Sequence, residues 1–469
     1  MAVARTEYVV LFAGYLTDGM VDYCHLEVQW QVWKEMGIPI QKEGAGGKAY
    51  GAFWVPSANN RTYHRSYTIG NYYKPNAAHG QRNLRLITRH RVNEVLFDRK
   101  KRATGVTIQL RDGGATFTVK AKKEIVLTAG WLHTPQILQR SGIGPKALLQ
   151  EAGIPVLVDL PGVGSNLQDH PTGNSTWECK SFLHSLYLAH LTKDRNDAVP
   201  NVSSLLSNET FIAWADELWK ERKGTFSYVR FDDVLSRWCA PGPRSFGFGN
   251  TMVQVPLPLL SPERWRQIVD ELKTQNGTEF LPSNYTSEQL RGWRRQRDIL
   301  AASYSSSQSS VTEVLFRGAA TSHLVLQRQS SRGTVQLNTT SKYSEPIVDY
   351  YTNVNPIDRR VAVEMIRFYR KFMSWPSHQI RDPVEIAPGA AVTADEDISN
   401  FNANRMISSI GHSCCTAAMG PRDLGGVLTP ELLVHGVFGL SVGDISSFPM
   451  IPATHTCATV YAVAEKVCC

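Results

Sequence analysis

The most constraining stretch of this sequence is a short one. Ile125-Val126-Leu127 is continuously apolar and runs through Thr128-Ala129-Gly130 into a helical segment carrying Ile137 and Leu138. A strand without polar alternation reads as one buried on both faces, the habit of the parallel sheets in layered α/β folds. Upstream, Leu84 to Thr88, Val92 to Phe97, Gly105 to Leu110 and Thr116 to Val119 are β-branched runs. Asp98-Arg99-Lys100-Lys101 and Asp112-Gly113-Gly114 separate them as turns. A second helix, Lys146 to Ala152, follows Ser141-Gly142-Ile143-Gly144-Pro145. The 469 residues are 42% hydrophobic and 20% charged, ample for a packed core and unlike a disordered or low-complexity chain.

The formal net charge of +8 is spread thinly. Its densest stretches, Arg99 to Arg102 and Arg291 to Arg297, lack aromatic interleaving and read as solvated surface, so no nucleic-acid partner is expected. No apolar run approaches the roughly 20 residues of a membrane span. The longest, Tyr8 to Leu16, makes a poor signal peptide. Seven Asn-x-Ser/Thr sequons, at Asn60, Asn174, Asn201, Asn208, Asn276, Asn284 and Asn338, point instead towards the secretory pathway and a glycoprotein. The expected location is therefore secretory or extracellular if a longer native N-terminus exists, and cytoplasmic otherwise.

Residues 1–80 read as irregular, with turn signals at Gly44-Ala45-Gly46-Gly47 and Pro56-Ser57-Ala58-Asn59. The middle, about 171–330, offers no readable motif. Gly333 to Leu337 and Pro346-Ile347-Val348 read as strands. Asn355-Pro356 then caps a helix on which Ile357, Val361, Met365, Phe368 and Phe372 recur at three- and four-residue spacing. A buried-looking strand, Gly439 to Val442, and a terminal helix, Ala458 to Val467, close the chain.

Two stretches spell G-x-G-x-x-A: Gly44 to Ala49 and Gly142 to Ala147. Neither sits between a strand and a helix, the context that aims a helix N-terminus at a pyrophosphate, so neither is read as a dinucleotide fingerprint. What does match is longer. Ala129 to Pro145 resembles the second signature of the glucose–methanol–choline (GMC) family of flavin oxidoreductases, departing at Trp131 where a small residue is usual. Asp159 to His170, Ser331-Arg332-Gly333-Thr334-Val335, and a C-terminal block from His412 to Lys466 continue the likeness in the family's order. The phrasing is similar to the fungal branch of aryl-alcohol oxidases and patulin-synthase-like enzymes of secondary metabolism.

The resemblance implies an α/β fold with α+β character, in which an FAD-binding Rossmann-like domain interleaves with an antiparallel-sheet substrate domain. It implies a catalytic pair, His412 and His455. Alcohol oxidation needs a group to accept the hydroxyl proton while hydride leaves the adjacent carbon, and neutral imidazole suits that task. His412 is assigned as base and His455 as hydrogen-bond partner of the substrate oxygen; the reverse assignment stays open. Cofactor contacts are carried over to Val92 at the adenine, Asp444 near the ribityl and pyrophosphate, and Thr456 beside the isoalloxazine. Asp169 and His170 are expected to fix a loop. No metal site is expected: His412-x-Cys414 and His455-x-Cys457 have one residue between ligands where structural zinc pairs have two to four. Cys468-Cys469 reads as a frayed helix end.

Nothing before Val92 resembles the family's opening βαβ unit, whose Gly-rich turn binds the ADP half of FAD. The cofactor site is therefore expected to be incomplete in this sequence, with an exposed sheet edge and apolar face, and Met1 to about Gln29 as sequence foreign to the fold. The expected organisation is a partial FAD-binding domain over 1–170, a substrate or cap domain over 171–430, and the return of the FAD-binding domain over 431–469. The expected activity is oxidation of a small-molecule alcohol to an aldehyde or ketone, with oxygen or another electron acceptor as partner. The alternative is a degenerate homologue without FAD, inert or lyase-like.

Overall fold

A computed structural model describes residues 24–41, 44, 47–48, 50–54, 67–74, 84–178, 251–316, 321–379 and 382–467. The middle stretch 179–250, and the sequons at Asn60, Asn201 and Asn208, lie outside the described residues.

The larger sheet has six strands in the order Gly51–Trp54, Thr251–Pro256, Ser310–Phe316, Thr321–Leu326, Thr172–Glu178 and Val384–Ala387, every neighbour antiparallel. Helices cover it. The 18-residue helix Pro356–Met373 begins where Asn355 Oδ1 accepts from the Ile357 amide and Pro356 takes a position that needs no N–H partner. Its Val361, Met365, Phe368 and Phe372 are buried in one core with Tyr304 and Leu300 of the helix Ser287–Ser305. That second helix starts with a reciprocal cap, Thr286 accepting from the Gln289 amide while Gln289 Oε1 accepts from the Thr286 amide. Trp33 stacks on Phe372 at a centroid distance of 3.7 Å and completes this core.

Trp33 belongs to a helix, Cys24–Glu35, in the stretch read as irregular. Its buried Val32 and Trp33 alternate poorly with Gln29, Gln31 and Glu35, so helical spacing was masked in the sequence. The helix Cys24–Glu35 is thus part of the fold, and the foreign segment expected up to Gln29 reaches too far.

The second body is built on the features that framed the sequence. The strands His90–Phe97, Ala103–Leu110 and Thr116–Lys120 form an antiparallel meander, turning at Asp98 to Lys101 and at Gly113-Gly114, whose φ angles are +90° and +104°. Leu84 to Thr88 are not a strand: Leu110 pairs with His90, the partner turns away at Asp112, and Leu84, Leu86 and Ile87 lie exposed. Ile125–Leu127 pairs in parallel with Leu440–Val442 and runs into the helix Gly130–Arg140. It is not fully buried. Leu127 is 5% exposed but Val126 is 46% exposed, because among the described residues the strand has one hydrogen-bonded neighbour and one uncovered face. Leu433 and Phe438 nearby are 41% and 61% exposed.

The expected boundaries divide the chain differently from its packing. Gly51–Trp54 is an edge strand of the six-stranded sheet, although it falls within 1–170. Ala417, Val427 and Leu428, within 171–430, pack in one core with Leu138, Leu440 and Val442. Backbone pairing therefore interleaves the two bodies more finely than three consecutive blocks allow.

The two text matches to a Gly-rich fingerprint also find their context. Gly44 to Ala49 precedes the strand Gly51–Trp54 rather than a helix. Gly142-Ile143-Gly144 links two helices, with Ile143–Gly144 paired to Val158–Asp159.

Candidate active site

The two bodies meet at a cluster of three imidazoles. His412 lies in the loop after the helix Asp395–Arg405, and His455 immediately precedes the terminal helix Thr456–Val467. Their rings make an edge contact at a centroid distance of 4.7 Å. His170, expected only to fix a loop, also lies against His412, with centroids 5.0 Å apart and the two Nδ1 atoms 2.9 Å apart.

The loop 412–416 is held by the segment 164–170. Gln168 and Cys414 exchange backbone hydrogen bonds, and the Gly164 amide donates to the Thr416 carbonyl. Gly164 has φ +80°, and a Cβ there would meet the Val335 carbonyl oxygen at 2.1 Å, so only glycine lets the strand approach this closely. The buried Asp169 carboxylate accepts from the backbone amides of His170 and His412 and from Ser413 Oγ. It thereby fixes both loops at once, as expected of it. Burial raises its pKa, and those hydrogen bonds oppose the rise.

The third motif supports the second. Arg332, 1% exposed, donates to the carbonyls of Gln329 and Ser331 and to Asn166 Oδ1, while Leu167 and Gly333 pair through their backbones.

Burial dominates the electrostatics of the imidazoles. It drives the pKa of His412 down to about 4, and the neighbouring His455 lowers it further while Glu313 opposes. His170 is held well below the ordinary histidine range, first by burial and then by His412 and His455. Both rings are therefore neutral at pH 7, and a neutral imidazole can accept a proton.

His455 has a partner that sequence reading missed. Its Nε2 lies 3.0 Å from Oε1 of Glu313, a 1%-exposed carboxylate on the strand Ser310–Phe316, whose Oε2 accepts from Gln327 Nε2 and Gln254 Nε2. A lone glutamate inside a strand carries no motif. Only the fold shows it buried, beside Thr312 and Ser310.

The expected cofactor residues are placed as follows. Asp444 is buried and spends its carboxylate on the chain: Oδ2 accepts from the Gly130 amide and Thr134 Oγ1, and Oδ1 from the Ser446 amide. It staples the turn after Ile125–Leu127 to the C-terminal block. Thr456 is buried at the first turn of the terminal helix, next to His455. Val92 is half-buried on the strand His90–Phe97, paired with Ile108, and packs against the core that holds Leu138 and Leu440. Trp131, the departure from the family signature, accepts from Thr416 Oγ1 through its carbonyl, and its ring tilts against Tyr350 at 6.1 Å.

Cys414 and Cys415 are buried and joined to one another as adjacent residues, while Cys457 is exposed. No group of three or more His, Cys, Asp or Glu residues has metal-holding geometry among the described residues. No helix among them is long and apolar enough to cross a membrane. A groove of about 560 Å³, lined among others by Arg264, Arg360, Glu364 and Asp395, has no histidine in its lining, and Arg264 and Arg360 are ion-paired to acidic neighbours.

The GMC oxidoreductase N-terminal model matches residues 23–172 and the C-terminal model residues 329–464. Dehydrogenase xptC of Emericella nidulans is 33% identical over 435 residues, 92% of this chain and 64% of the relative. Patulin synthase of Aspergillus clavatus is 30% identical over 461 residues, 96% of this chain and 65% of the relative. This chain thus spans just under two thirds of the length of these curated relatives. Among solved structures, an FAD-dependent oxidoreductase from Chaetomium thermophilum superposes with a TM-score of 0.83 at 34% identity, covering 95% of this chain and 71% of that one. With both family models matched in order and the fold shared at this identity, the chain belongs to the GMC oxidoreductase family.

Proposed function

We propose that this protein is an FAD-dependent oxidoreductase that oxidises a small-molecule alcohol to an aldehyde or ketone in fungal secondary metabolism. The observation that carries the reading is the His412–His455 pair, two imidazoles 4.7 Å apart that are delivered by different loops and held by different buried partners.

The residues present fit part of the cofactor. Gly130 has φ +77° and a Cβ there would meet nothing within 4 Å, so a ligand atom can approach the turn; beside it the buried Ser446 Oγ lacks a protein partner. Gly130, Asp444, Ser446 and Thr456 would hold the flavin half, with Val92 on the adenine side. A Gly-rich strand-to-helix turn for the pyrophosphate is absent among the described residues. When bound, FAD would accept hydride from the carbinol carbon and pass the electrons to oxygen or another acceptor.

The chain's own residues manage the proton and the oxygen. His412, neutral through burial, accepts the hydroxyl proton on the ring nitrogen that His170 does not occupy. His455 is oriented by Glu313. A carboxylate at one ring nitrogen supports a proton on the other, so His455 is set to donate a hydrogen bond to the developing alkoxide. The exposed sequons at Asn276 and Asn284 fit a glycoprotein of the secretory pathway, which a mobility shift on deglycosylation would reveal.

The test is direct. Purified protein should show the visible absorbance of bound flavin, and that absorbance should bleach when a primary or secondary alcohol is added without oxygen. Protein that takes up no flavin, or whose flavin stays oxidised with every alcohol offered, would overturn the reading.

A further inference from the structure

Strand register sets out the face of the six-stranded sheet on which the imidazoles rest. Glu313 pairs with Val325 and Val325 with Thr172, so these three side chains share one face. At one end of this row Glu313 holds His455. At the other, Thr172 Oγ1 donates to the carbonyl of His170, whose ring meets His412. Two residues further along the same strands, roughly 7 Å away on the same face, comes a second row. It runs Phe53, Met252, Leu315, His323 and Asn174, each opposite the next. Its first three members are buried in an apolar cluster that packs against Ile410, two residues before His412. Its last two are polar and half-buried. The reverse face is unlike it: there Val253, Val314 and Leu324 sit in the core beneath the helices. His323 Nδ1 lies 2.7 Å from Asn174 Oδ1. An amide oxygen only accepts, so His323 donates and fixes the plane of the Asn174 amide. Asn174 Nδ2 is left as an oriented donor that makes no hydrogen bond among the described residues.

We propose that Asn174 is a specificity-determining residue: its Nδ2 donates to a carbonyl oxygen that the alcohol substrate carries one ring's width from its carbinol carbon. The two rows are separated by roughly the reach of a six-membered ring with para substituents. With the carbinol at His412 and His455, the ring lies over Ile410 and the apolar end of the second row, and its far substituent meets Asn174. An apolar bed with one oriented polar group is how small-molecule sites combine affinity with orientation. His323 acts through Asn174 and is a positioning residue. The role also singles out one sequon. Asn174-Ser175-Thr176 can carry a glycan only by giving up the Nδ2 that faces the site, so Asn174 stays bare.

This inference rests on placing the alcohol at His412 and His455, and its test separates the two readings. Calorimetric titration compares 4-acetylbenzyl alcohol with 4-isopropenylbenzyl alcohol, which has the same shape but a methylene group where the first has its carbonyl oxygen. The ratio of their affinities should fall about three- to tenfold in favour of the carbonyl compound's competitor on going from the unmodified protein to Asn174→Leu. Asn174→Asp keeps the shape, sets an acceptor against the carbonyl, and should lower the ratio at least as far. A general loosening of the fold would weaken both ligands alike and leave the ratio where it was. Peptide mapping of protein from a glycosylating host should find Asn174 unmodified. A ratio indifferent to residue 174, binding of neither alcohol, or a glycan on Asn174 would overturn the proposal. If Asn174→Leu does not fold, Asn174→Asp and the peptide map still decide. A ratio that responds to residue 174 in protein that never reduces flavin would refute the oxidoreductase reading and leave this one standing. Flavin bleached by both alcohols, with a ratio blind to residue 174, would refute this one alone.

Discussion

The six-stranded antiparallel sheet and the parallel pair Ile125–Leu127/Leu440–Val442 stand in contrast. The first is covered by the helices Pro356–Met373 and Ser287–Ser305 and closed by Trp33, with a core in which Phe372 and Tyr304 are fully buried. The second leaves Val126, Leu433 and Phe438 in solvent and gives Ile125–Leu127 one strand neighbour among the described residues. Yet the second carries the stronger sequence signature, Ala129 to Pro145. Motif strength and packing completeness are thus separate properties. Motifs record where backbone must meet a ligand or another loop, and packing records how much apolar surface is covered.

That contrast can be broken by mutation. The largest effect is expected at Phe372→Ala, which removes a fully buried ring stacked on Trp33 and should cost about 3–5 kcal/mol in denaturant unfolding. A cost below about 1 kcal/mol would mean that the large core is looser than its burial implies.

Next comes the seam between the bodies, where pH is the probe. His412 has its folded pKa lowered from 6.5 to about 4, so between those values the unfolded chain binds more protons than the folded one. Stability is complete above pH 6.5 and is lost as the pH falls towards 4, by about 3 kcal/mol. His170 acts with the same sign. Asp169, raised by burial, works the other way at the acid end. His455 and Glu313 face the same cluster. Thermal midpoints measured from pH 7 to pH 4 should fall, and His412→Gln should flatten the slope; an unchanged slope in the variant would remove His412 from the account.

The smallest effect is expected at Val126→Thr. Nearly half of this side chain is in solvent, so the change should cost within about 0.5 kcal/mol. A cost near that of Phe372→Ala would show that something covers this face in solution, and the contrast between the two bodies would disappear.

Legibility followed the same division. The meander, the helix Gly130–Arg140 and the helix Pro356–Met373 were readable because turn residues and apolar spacing are local. The six-stranded sheet was not. Its strands come from 51–54, 172–178, 251–256, 310–326 and 384–387, and Thr172–Glu178 reads Thr-Gly-Asn-Ser-Thr-Trp-Glu, without apolar alternation. The strand partners of Thr172–Glu178, Thr321–Leu326 and Val384–Ala387, lie more than a hundred residues away, which no local pattern announces. The site divided likewise. His412 and His455 were found through motifs, and the structure brings them together. Glu313 was invisible because a single carboxylate in a strand has no spacing to betray it. His170 was noticed for its loop, and its contact with His412 depends on the Asp169 hydrogen bonds that fold 170 and 412 onto one another.

The central claim is that His412 takes the alcohol proton while hydride leaves for the flavin. Stopped-flow reduction of flavin-loaded protein by an alcohol, compared between the unmodified chain and His412→Ala, tests it most directly. The account predicts flavin retained and reduction slowed by about 10²–10⁴-fold in the variant. Flavin retained and reduced at an unchanged rate would contradict it.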